Sequence, residues 1–132
     1  MHSPAVILYG IRTCDTCRKA RRWLESHDIP HRYHDLRSDG LDAATLDRWI
    51  EAAGPDAVIN KRGTTWRKLA TELDADLTSA AARDLILSHP TLVKRPIIEA
   101  DGRLITVGFT SAEQQRILDT VENSSAKRAA TP

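Results

Sequence analysis

The two cysteines of the chain, Cys14 and Cys17, are separated by two residues, a spacing suited to thiol–disulfide chemistry. Residues 5–9 (AVILY) are apolar and partly β-branched, and Gly10 follows them, which predicts a buried strand. From Cys17 onward apolar positions recur at helical spacing, which predicts a helix. Cys14 is therefore expected at the helix N-terminus, where unpaired N–H groups and the helix dipole favour a thiolate over a thiol.

This placement predicts that Cys14 is a nucleophile with a lowered pKa. Cys17 lies one turn later on the same side, so it is expected to attack a mixed disulfide formed at Cys14. Thr13 or Asp15 is expected to cap the helix. The guanidinium of Arg12, two residues before Cys14, is expected to lower the pKa of the cysteine further and to contact a substrate.

Three other roles for the cysteines are compatible with the sequence. Cysteine is often a small buried hydrophobe, but two cysteines bracketing a helix start favour reactivity. A structural disulfide is disfavoured in a reducing compartment. Zinc could join the cysteines to His31 and His34, but two residues separate these histidines, where zinc sites usually have three to five. We therefore expect redox or nucleophilic thiol chemistry, with no metal and no bound cofactor.

The size and charge of the chain disfavour several classes of protein. At 132 residues it is expected to be one domain with its own core. The 19 basic and 18 acidic residues leave a net charge of +1, which favours neither nucleic acid nor an anionic membrane as a partner. The absence of a signal-like or membrane-spanning segment predicts a cytoplasmic location. A monomer is expected, because no sustained exposed apolar pattern is found.

The remaining elements are predicted from periodicity and turn signals. Strands are predicted at residues 31–36, 92–100 and 103–107, and helices are predicted to be capped by Asp42, Thr64, Thr78 and Thr110. Asp101-Gly102 is predicted to form a two-residue hairpin turn. A capping box is predicted in Thr110-Ser111-Ala112-Glu113-Gln114.

The resulting order is β-α-β, then about three helices, then β-β-α. Together with the CxxC motif at the first βα junction, it predicts an α/β, thioredoxin-like fold with an inserted helical lobe. A single domain is expected over residues 1–121, with the helical insertion at about 41–90. Residues 122–132 are expected to be a disordered tail because their composition is small and polar.

Three residues outside the cysteine motif have chemistry suited to a binding site. Pro96 lies at the mouth of a predicted strand, where it is either a trans strand-opening proline or a cis proline facing the thiol. Arg95 precedes it, and Arg62 lies in the loop before the helix at Thr64. A guanidinium binds oxyanions and carboxylates bidentately, although a single arginine is more often a solvated surface residue.

Four basic residues, Arg18, Lys19, Arg21 and Arg22, follow the cysteines. At first sight they indicate a patch for nucleic acid. On a helix of a nearly neutral protein, a solvated face is the favoured interpretation.

Four segments of the chain jointly resemble one known family. They are YGIRTCDTCRKARRWLE at 9–25, NKRGTTWRKL at 60–69, HPTLVKRPII at 89–98 and DGRLITVGF at 101–109. Over about residues 5–120 the chain resembles the arsenate reductase (ArsC) family, within its Spx and YffB-like branch. The second segment is most similar to the YffB-like proteins, proposed glutathione-dependent thiol reductases. The CxxC motif and the last two segments are equally similar to Spx, a redox-switched regulator that binds RNA polymerase.

The resemblance implies a thioredoxin-like fold with a helical insertion and a cysteine that attacks an oxyanion held by arginines. It also implies that glutathione and glutaredoxin regenerate the thiol. Cys14 matches the nucleophile, and Arg62 lies near the first arginine position. Arg95 matches the arginine before the family's proline, which is Pro96 here.

The chain departs from arsenate reductases in two places. Gly108-Phe109-Thr110 replaces their Gly-Arg-Pro segment, and the lost charge-assisted contact predicts weaker arsenate binding. Cys17 replaces a serine, which implies an internal resolving thiol and a redox-active disulfide.

The sequence therefore predicts a glutathione-linked thiol oxidoreductase. Cys14 attacks, Cys17 resolves, Arg62 and Arg95 bind the anionic part of the substrate or glutathione, and Pro96 shapes the cleft. Glutathione, glutaredoxin and a small anionic or disulfide substrate are the expected partners. The alternative is a Spx-like regulator whose disulfide switches its affinity for the RNA polymerase α subunit. The segment at 60–69 favours the enzyme.

Overall fold

The computed structural model of the chain describes residues 5–72 and 76–129, with side chains described up to Glu122. In chain order its elements are β1 (Val6–Gly10), α1 (Asp15–Ser26), β2 (His31–Asp35), α2 (Ala43–Ala53), α3 (Pro55–Val58), α4 (Thr64–Leu69), α5 (Ala80–Ser88), a 3-10 turn (Pro90–Leu92), β3 (Ile97–Ala100), β4 (Arg103–Val107) and α6 (Ser111–Ala129). They belong to two units. The first comprises the described residues up to Asp35 and from Arg95 onward, and the second is Leu36–Lys94.

The first unit is built on a four-stranded sheet in the order β2-β1-β3-β4. β1 and β2 are parallel, and α1 provides the helical crossover that parallel neighbours require. β3 runs antiparallel to both β1 and β4. The helical second unit enters the chain between β2 and β3. The predicted α/β, thioredoxin-like fold with an inserted helical lobe is therefore confirmed.

One face of the sheet and two helices form the core of the first unit. Alternate residues of each strand share a face, so Leu8 of β1 lies opposite Ile98 of β3, and Val6 lies opposite Ala100. They pack with buried residues of the two helices, such as Leu24 of α1 and Ile117 of α6. The apolar spacing of α1 thus fixes its orientation on the sheet.

A buried carboxylate lies among the residues that alternate with this core. Glu99 of β3 is only 1% exposed, and the hydroxyl of Tyr9 donates to its Oε1 at 2.8 Å. A buried carboxylate needs hydrogen-bond donors to offset its lost hydration. Tyr9 is one of these donors, supplied from ninety residues away in sequence.

We expect Tyr9→Phe to destabilise the protein by about 1–3 kcal/mol, because it removes a donor from the buried Glu99 carboxylate. Tyr33→Phe is the matched control. The buried Tyr33 hydroxyl finds no hydrogen-bond partner within the described part of the chain. The Arg21 guanidinium, 4.4 Å from the ring centroid, can stack equally on phenylalanine. That change is expected to be neutral or stabilising. Urea unfolding of both variants measures the difference, and equal losses of stability would contradict it.

Local turn chemistry places two boundaries where the sequence predicts them. The Thr45 N–H donates to Asp42 Oδ1 at 2.8 Å, so Asp42 caps α2 as expected. Asp101 and Gly102 have φ values of 52° and 77°, the left-handed pair that a tight hairpin between twisted strands requires. The predicted turn between β3 and β4 is confirmed.

The predicted capping box begins α6. The Thr110 N–H and hydroxyl donate to the two oxygens of the Glu113 carboxylate at 3.1 and 2.9 Å. The helix then continues through Ala129, where the composition predicts a disordered tail from residue 122. Alanine, lysine and arginine late in this stretch are good helix formers. The prediction of disorder considered only that the residues are small and polar, and not their helix propensity. The remaining tail residues, 130–132, lie outside the described residues.

Other predicted boundaries were wrong by a few residues. α4 is capped by Gly63 rather than Thr64. α5 is capped by Ser79, which accepts from the Ala82 N–H at 3.1 Å, because Thr78 instead bonds Asp76. The third strand begins only after Pro96, which has no N–H to donate to a ladder. Within residues 5–72 and 76–129, none of the helices combines the length and the apolar character needed to cross a membrane.

Candidate active site

The loop from β1 to α1 places Cys14 at the start of the helix. The Cys14 N–H donates to the Ile11 carbonyl at 2.9 Å, and the Cys14 carbonyl accepts from the Arg18 N–H at 3.1 Å. Cys14 has extended backbone angles (φ −84°, ψ 118°) and is itself the N-cap of α1. The predicted caps, Thr13 and Asp15, were therefore wrong. The turn closed at Ile11 puts the cysteine in the capping position, and Asp15 becomes the first helical residue.

Cys14 is half-buried and has a free thiol whose environment favours its ionised form. Its sulfur forms no capping hydrogen bond of standard geometry, but the backbone N–H of Cys17 is close enough to stabilise a charge there. Burial opposes ionisation of Cys14. The hydrogen bonds from the Cys17 N–H and thiol, and then the hydrogen bond and charge of Arg95, outweigh burial and lower the pKa of Cys14. The predicted direction is confirmed.

Cys17 has the opposite environment. It is 1% exposed, and burial, with a smaller contribution from the neighbouring Cys14, raises its pKa to about 12. Cys17 therefore remains a thiol while Cys14 ionises, and it can donate a hydrogen bond to the Cys14 thiolate. The two cysteines differ in proton affinity although they lie one helical turn apart.

Gly10 makes room for the buried cysteine. A Cβ at this position would lie 2.7 Å from Cys17 Sγ and 3.0 Å from Cys17 Cβ. A side chain there would force α1 away from β1 or displace the thiol. The glycine at the end of β1 thus positions Cys17 relative to the helix start.

We expect Gly10→Ala to destabilise the protein by about 1–3 kcal/mol because the added methyl overpacks the contact with Cys17. Part of this loss should be recovered when Gly10→Ala is combined with Cys17→Ala, which removes the closer of the two opposing atoms. A double-mutant cycle of urea unfolding measures the coupling. Strict additivity of the two changes would contradict the contact.

Arg95 and Pro96 lie in the same unit as the cysteines. The Arg95–Pro96 peptide bond is cis, the less common of the two alternatives considered from the sequence. The Pro96 ring is buried, and its carbonyl accepts from the Gly108 N–H at 2.9 Å. Arg95 hydrogen-bonds the Cys14 sulfur, so it lies at the nucleophile. Its predicted role in substrate binding stays a prediction.

Arg12 contributes to the loop chiefly through its backbone. Its N–H donates to Asp35 Oδ2 at 2.9 Å, and its carbonyl accepts from Arg18 Nε at 2.9 Å. Its side chain is exposed, and Arg95 is the arginine that contributes most to lowering the pKa of Cys14. Asp35 and Arg18 support this loop, and neither was predicted from the sequence. An aspartate directly after a strand was the available signal for Asp35.

Arg62 belongs to the second unit and lies in the loop before α4. Its N–H donates to Asn60 Oδ1 at 3.1 Å, and a Cβ at Gly63 would meet Asn60 Nδ2 at 3.0 Å. Asn60 therefore shapes the loop through an Asx turn, a role that the Asn-x-x pattern could have indicated. The Arg62 side chain is exposed, and its role in binding stays a prediction.

Phe109 lies at the position where the arsenate reductases that this chain resembles have an arginine. Its ring packs edge-on against Trp23, with centroids 5.5 Å apart, at the border of the apolar core. This side chain supplies packing and no charge. Among the described residues, no group of three or more histidine, cysteine, aspartate or glutamate side chains is arranged to hold a metal ion.

The fold and the site define a class: a thioredoxin-like protein with two cysteines at the N-terminus of the helix that follows its first strand. Residues 9–117 match the model of the ArsC family, and the chain belongs to that family. The global transcriptional regulator Spx of Listeria innocua is 36% identical to it over 115 residues, which cover 86% of each protein.

Two solved structures are similar in sequence and in fold. A protein named YffB is 40% identical, with a TM-score of 0.75, and the match covers 86% of this chain and 97% of that one. An arsenate reductase (ArsC) related protein from Brucella melitensis is 43% identical, with a TM-score of 0.68, covering 89% and 98%. The resemblance to the ArsC family and its Spx and YffB-like branch is confirmed.

Proposed function

We propose that the protein is a glutathione-linked thiol–disulfide oxidoreductase in which Cys14 is the nucleophile and Cys17 the resolving thiol. The observation that carries the proposal is the paired environment of the two sulfurs. Cys14 is half-exposed and its pKa is lowered, whereas Cys17 is buried beside it as a thiol with a pKa raised to about 12. A thiolate nucleophile next to a protonated thiol is the arrangement that disulfide exchange requires.

The first step transfers one half of an external disulfide to the protein. The Cys14 thiolate attacks one sulfur of the disulfide RS–SR′, a Cys14–S–S–R bond forms, and R′S⁻ leaves. The negative charge at Cys14 disappears in this step. Since that charge contributes to raising the pKa of Cys17, its loss makes Cys17 easier to ionise when its thiolate is needed.

The second step closes the internal disulfide. Cys17 releases its proton to solvent and attacks Cys14 Sγ, the Cys14–Cys17 bond forms, and RS⁻ leaves and can take up a proton from solvent. The substrate disulfide has then gained two electrons in all. Two molecules of glutathione then supply two electrons. The first forms a mixed disulfide with the protein, and the second removes it as oxidised glutathione, which regenerates both thiols.

Three arginines are proposed to hold the anionic part of the substrate or of glutathione. Arg95 hydrogen-bonds the Cys14 sulfur and is therefore close to the incoming group. Arg12 and Arg62, both exposed, are proposed as further anion contacts. Pro96, next to Arg95, is proposed to shape the cleft in front of the thiol.

Arsenate is proposed to be a poor substrate. A doubly charged oxyanion in a partly dehydrated site needs several guanidinium contacts. Phe109 stands at the third arginine position and packs on Trp23, so no cation is supplied there. Uncharged or singly charged disulfides do not need this contact.

A second candidate function is a redox-switched regulator that binds RNA polymerase. It is favoured by the 36% identity to Spx across most of both chains and by the two cysteines, which Spx-like switching would use as a disulfide. Reduced and oxidised protein would then differ in affinity for the C-terminal domain of the polymerase α subunit. Negligible binding in both states would contradict this candidate.

Coupled turnover tests the primary proposal. Bis(2-hydroxyethyl) disulfide and arsenate are supplied separately with glutathione, glutathione reductase and NADPH, and NADPH consumption is followed. We expect turnover of the disulfide well above the rate without protein, and little turnover of arsenate. No turnover of either substrate, with disulfide-dependent polymerase binding, would transfer the assignment to the regulator.

A further inference from the structure

A row of charged side chains runs along α1 from the nucleophile. The row starts at position 14 and continues at positions 18, 21, 22 and 25. Steps of three or four residues return to the same side of a helix, so these positions share one face. Arg18, Arg21, Arg22 and Glu25 line a surface cleft of about 240 Å³. We name this cleft, defined by those four residues, the α1 arginine cleft.

Two of its three arginines are held in place by contacts within the protein. Arg18 Nε donates to the Arg12 carbonyl at 2.9 Å, and its guanidinium lies 3.5 Å from the Asp15 carboxylate. The Arg21 guanidinium lies over the Tyr33 ring, 4.4 Å from its centroid. A guanidinium that is already oriented loses less freedom when it binds a carboxylate. Three arginines lining one cleft, two of them held by these contacts, distinguish it from an ordinary solvated helix face.

The cleft begins close to the reacting sulfur. At 1.5 Å of rise per residue, positions 18 to 22 lie roughly 6–12 Å along the helix from Cys14. An extended peptide advances about 3.3 Å per residue. A polypeptide whose cysteine sulfur reacts at Cys14 would therefore place residues two to four positions away opposite the arginines.

We propose that the α1 arginine cleft binds the carboxylates of an acidic polypeptide whose disulfide is attacked by Cys14. This inference rests on the proposed oxidoreductase function and names the class of its substrate. The cleft presents three guanidinium groups as bidentate partners for aspartate and glutamate side chains.

The acidic residues around the cleft favour a polypeptide over nucleic acid. Glu25 lines the cleft, Asp15 lies beside Arg18, and Asp28 follows in the adjoining cleft that Arg21 and Glu25 also line. A continuous polyphosphate would meet these carboxylates, whereas a peptide with two acidic residues at fixed spacing contacts only the arginines. The net charge of +1 gives no long-range attraction for a polyanion.

The test compares synthetic peptides that carry one glutathionylated cysteine. Each of two peptides has glutamates two and four positions from the cysteine, which lie on one face of an extended chain. The glutamates precede the cysteine in one peptide and follow it in the other, and the counterpart of each peptide has glutamines. At low salt we expect kcat/KM for at least one acidic peptide to exceed that of its glutamine counterpart by about tenfold, and this advantage to shrink as salt is added.

Two variants assign the effect to the cleft. Arg22→Glu should remove the advantage of the acidic peptide while leaving turnover of bis(2-hydroxyethyl) disulfide unchanged. Lys19→Glu makes the same charge change on an exposed residue of the same helix that does not line the cleft, and it should preserve most of the advantage. Far-ultraviolet circular dichroism of both variants verifies that they are folded.

The outcomes separate this inference from the proposed function. If wild type turns over the small disulfide but treats acidic and glutamine peptides alike, the substrate class is wrong and the oxidoreductase stands. Equal effects of Lys19→Glu and Arg22→Glu would contradict the assignment of peptide binding to the α1 arginine cleft. Binding of a single-stranded oligonucleotide that Arg22→Glu abolishes would show that the cleft binds nucleic acid instead of an acidic polypeptide. If neither small disulfide nor peptide is consumed, both proposals fail.

Discussion

Replacing Cys14 by serine is expected to abolish disulfide turnover, with a loss of roughly a thousandfold or more, because a serine hydroxyl is not ionised near neutral pH. The structure singles out this sulfur. It caps α1, it is half-exposed, and Cys17 and Arg95 both lower its pKa. NADPH consumption in the glutathione-coupled assay measures the loss. Ser26→Ala, an exposed change at the other end of α1, serves as the control and should retain full activity.

Cys17→Ser is expected to block the second step of the reaction, whereas Cys14→Ser blocks the first. The Cys14 thiolate still forms, so the first attack proceeds, but no internal thiol resolves the product. With glutathione disulfide as substrate, the variant should accumulate a mixed disulfide at Cys14 that intact-mass spectrometry detects and dithiothreitol removes. Turnover then depends on external glutathione alone. If Cys14→Ser forms the adduct and Cys17→Ser does not, the two roles are reversed.

The parts of the fold that were predictable depend on neighbours in sequence. Asp42 caps α2, Asp101 and Gly102 turn the hairpin, and Thr110 with Glu113 begins α6, because each device acts within about four residues. Prediction was wrong where two adjacent residues could serve equally, as at the start of α5. There Thr78 and Ser79 are both suitable caps, and the competing bond from Thr78 to Asp76 decides between them.

In the site, too, the features that depend on sequence neighbours were predictable and those that depend on distant residues were not. The position of the CxxC motif between a strand and a helix is a local pattern, so Cys14 at a helix start was predictable. The hydrogen bond from Arg95 to Cys14 joins residues far apart in the chain, and no spacing rule distinguishes Arg95 from the nearer Arg12. Gly10 looked like a strand terminator. Its closeness to Cys17 becomes evident only when α1 is packed on β1.

Arg95→Met is expected to raise the pKa of Cys14, because it removes both a hydrogen bond and a positive charge from the thiolate. The rate of iodoacetamide alkylation follows the thiolate fraction, so its inflection should move to higher pH. At neutral pH the variant should react about threefold to tenfold more slowly than wild type. Arg12→Met is the matched control, and its profile should stay close to that of wild type. An equal shift in both variants would contradict the assignment to Arg95.

The lowered pKa of Cys14 also makes the stability of the protein depend on pH. The folded protein holds the pKa of Cys14 below its value in the unfolded chain, so the unfolded state binds more protons between the two values. The free energy of unfolding of the reduced wild-type protein should therefore increase with pH between the folded and the unfolded pKa of Cys14. Lowering the pH through the folded pKa removes this contribution. Cys17 acts in the opposite sense, because its pKa is raised to about 12 and its contribution is lost only at high pH. Arg95→Met should flatten the lower window. It should extend the upper one slightly to higher pH, because the charge of Arg95 also makes a small contribution to lowering the pKa of Cys17, and urea unfolding across the pH range can distinguish the two effects.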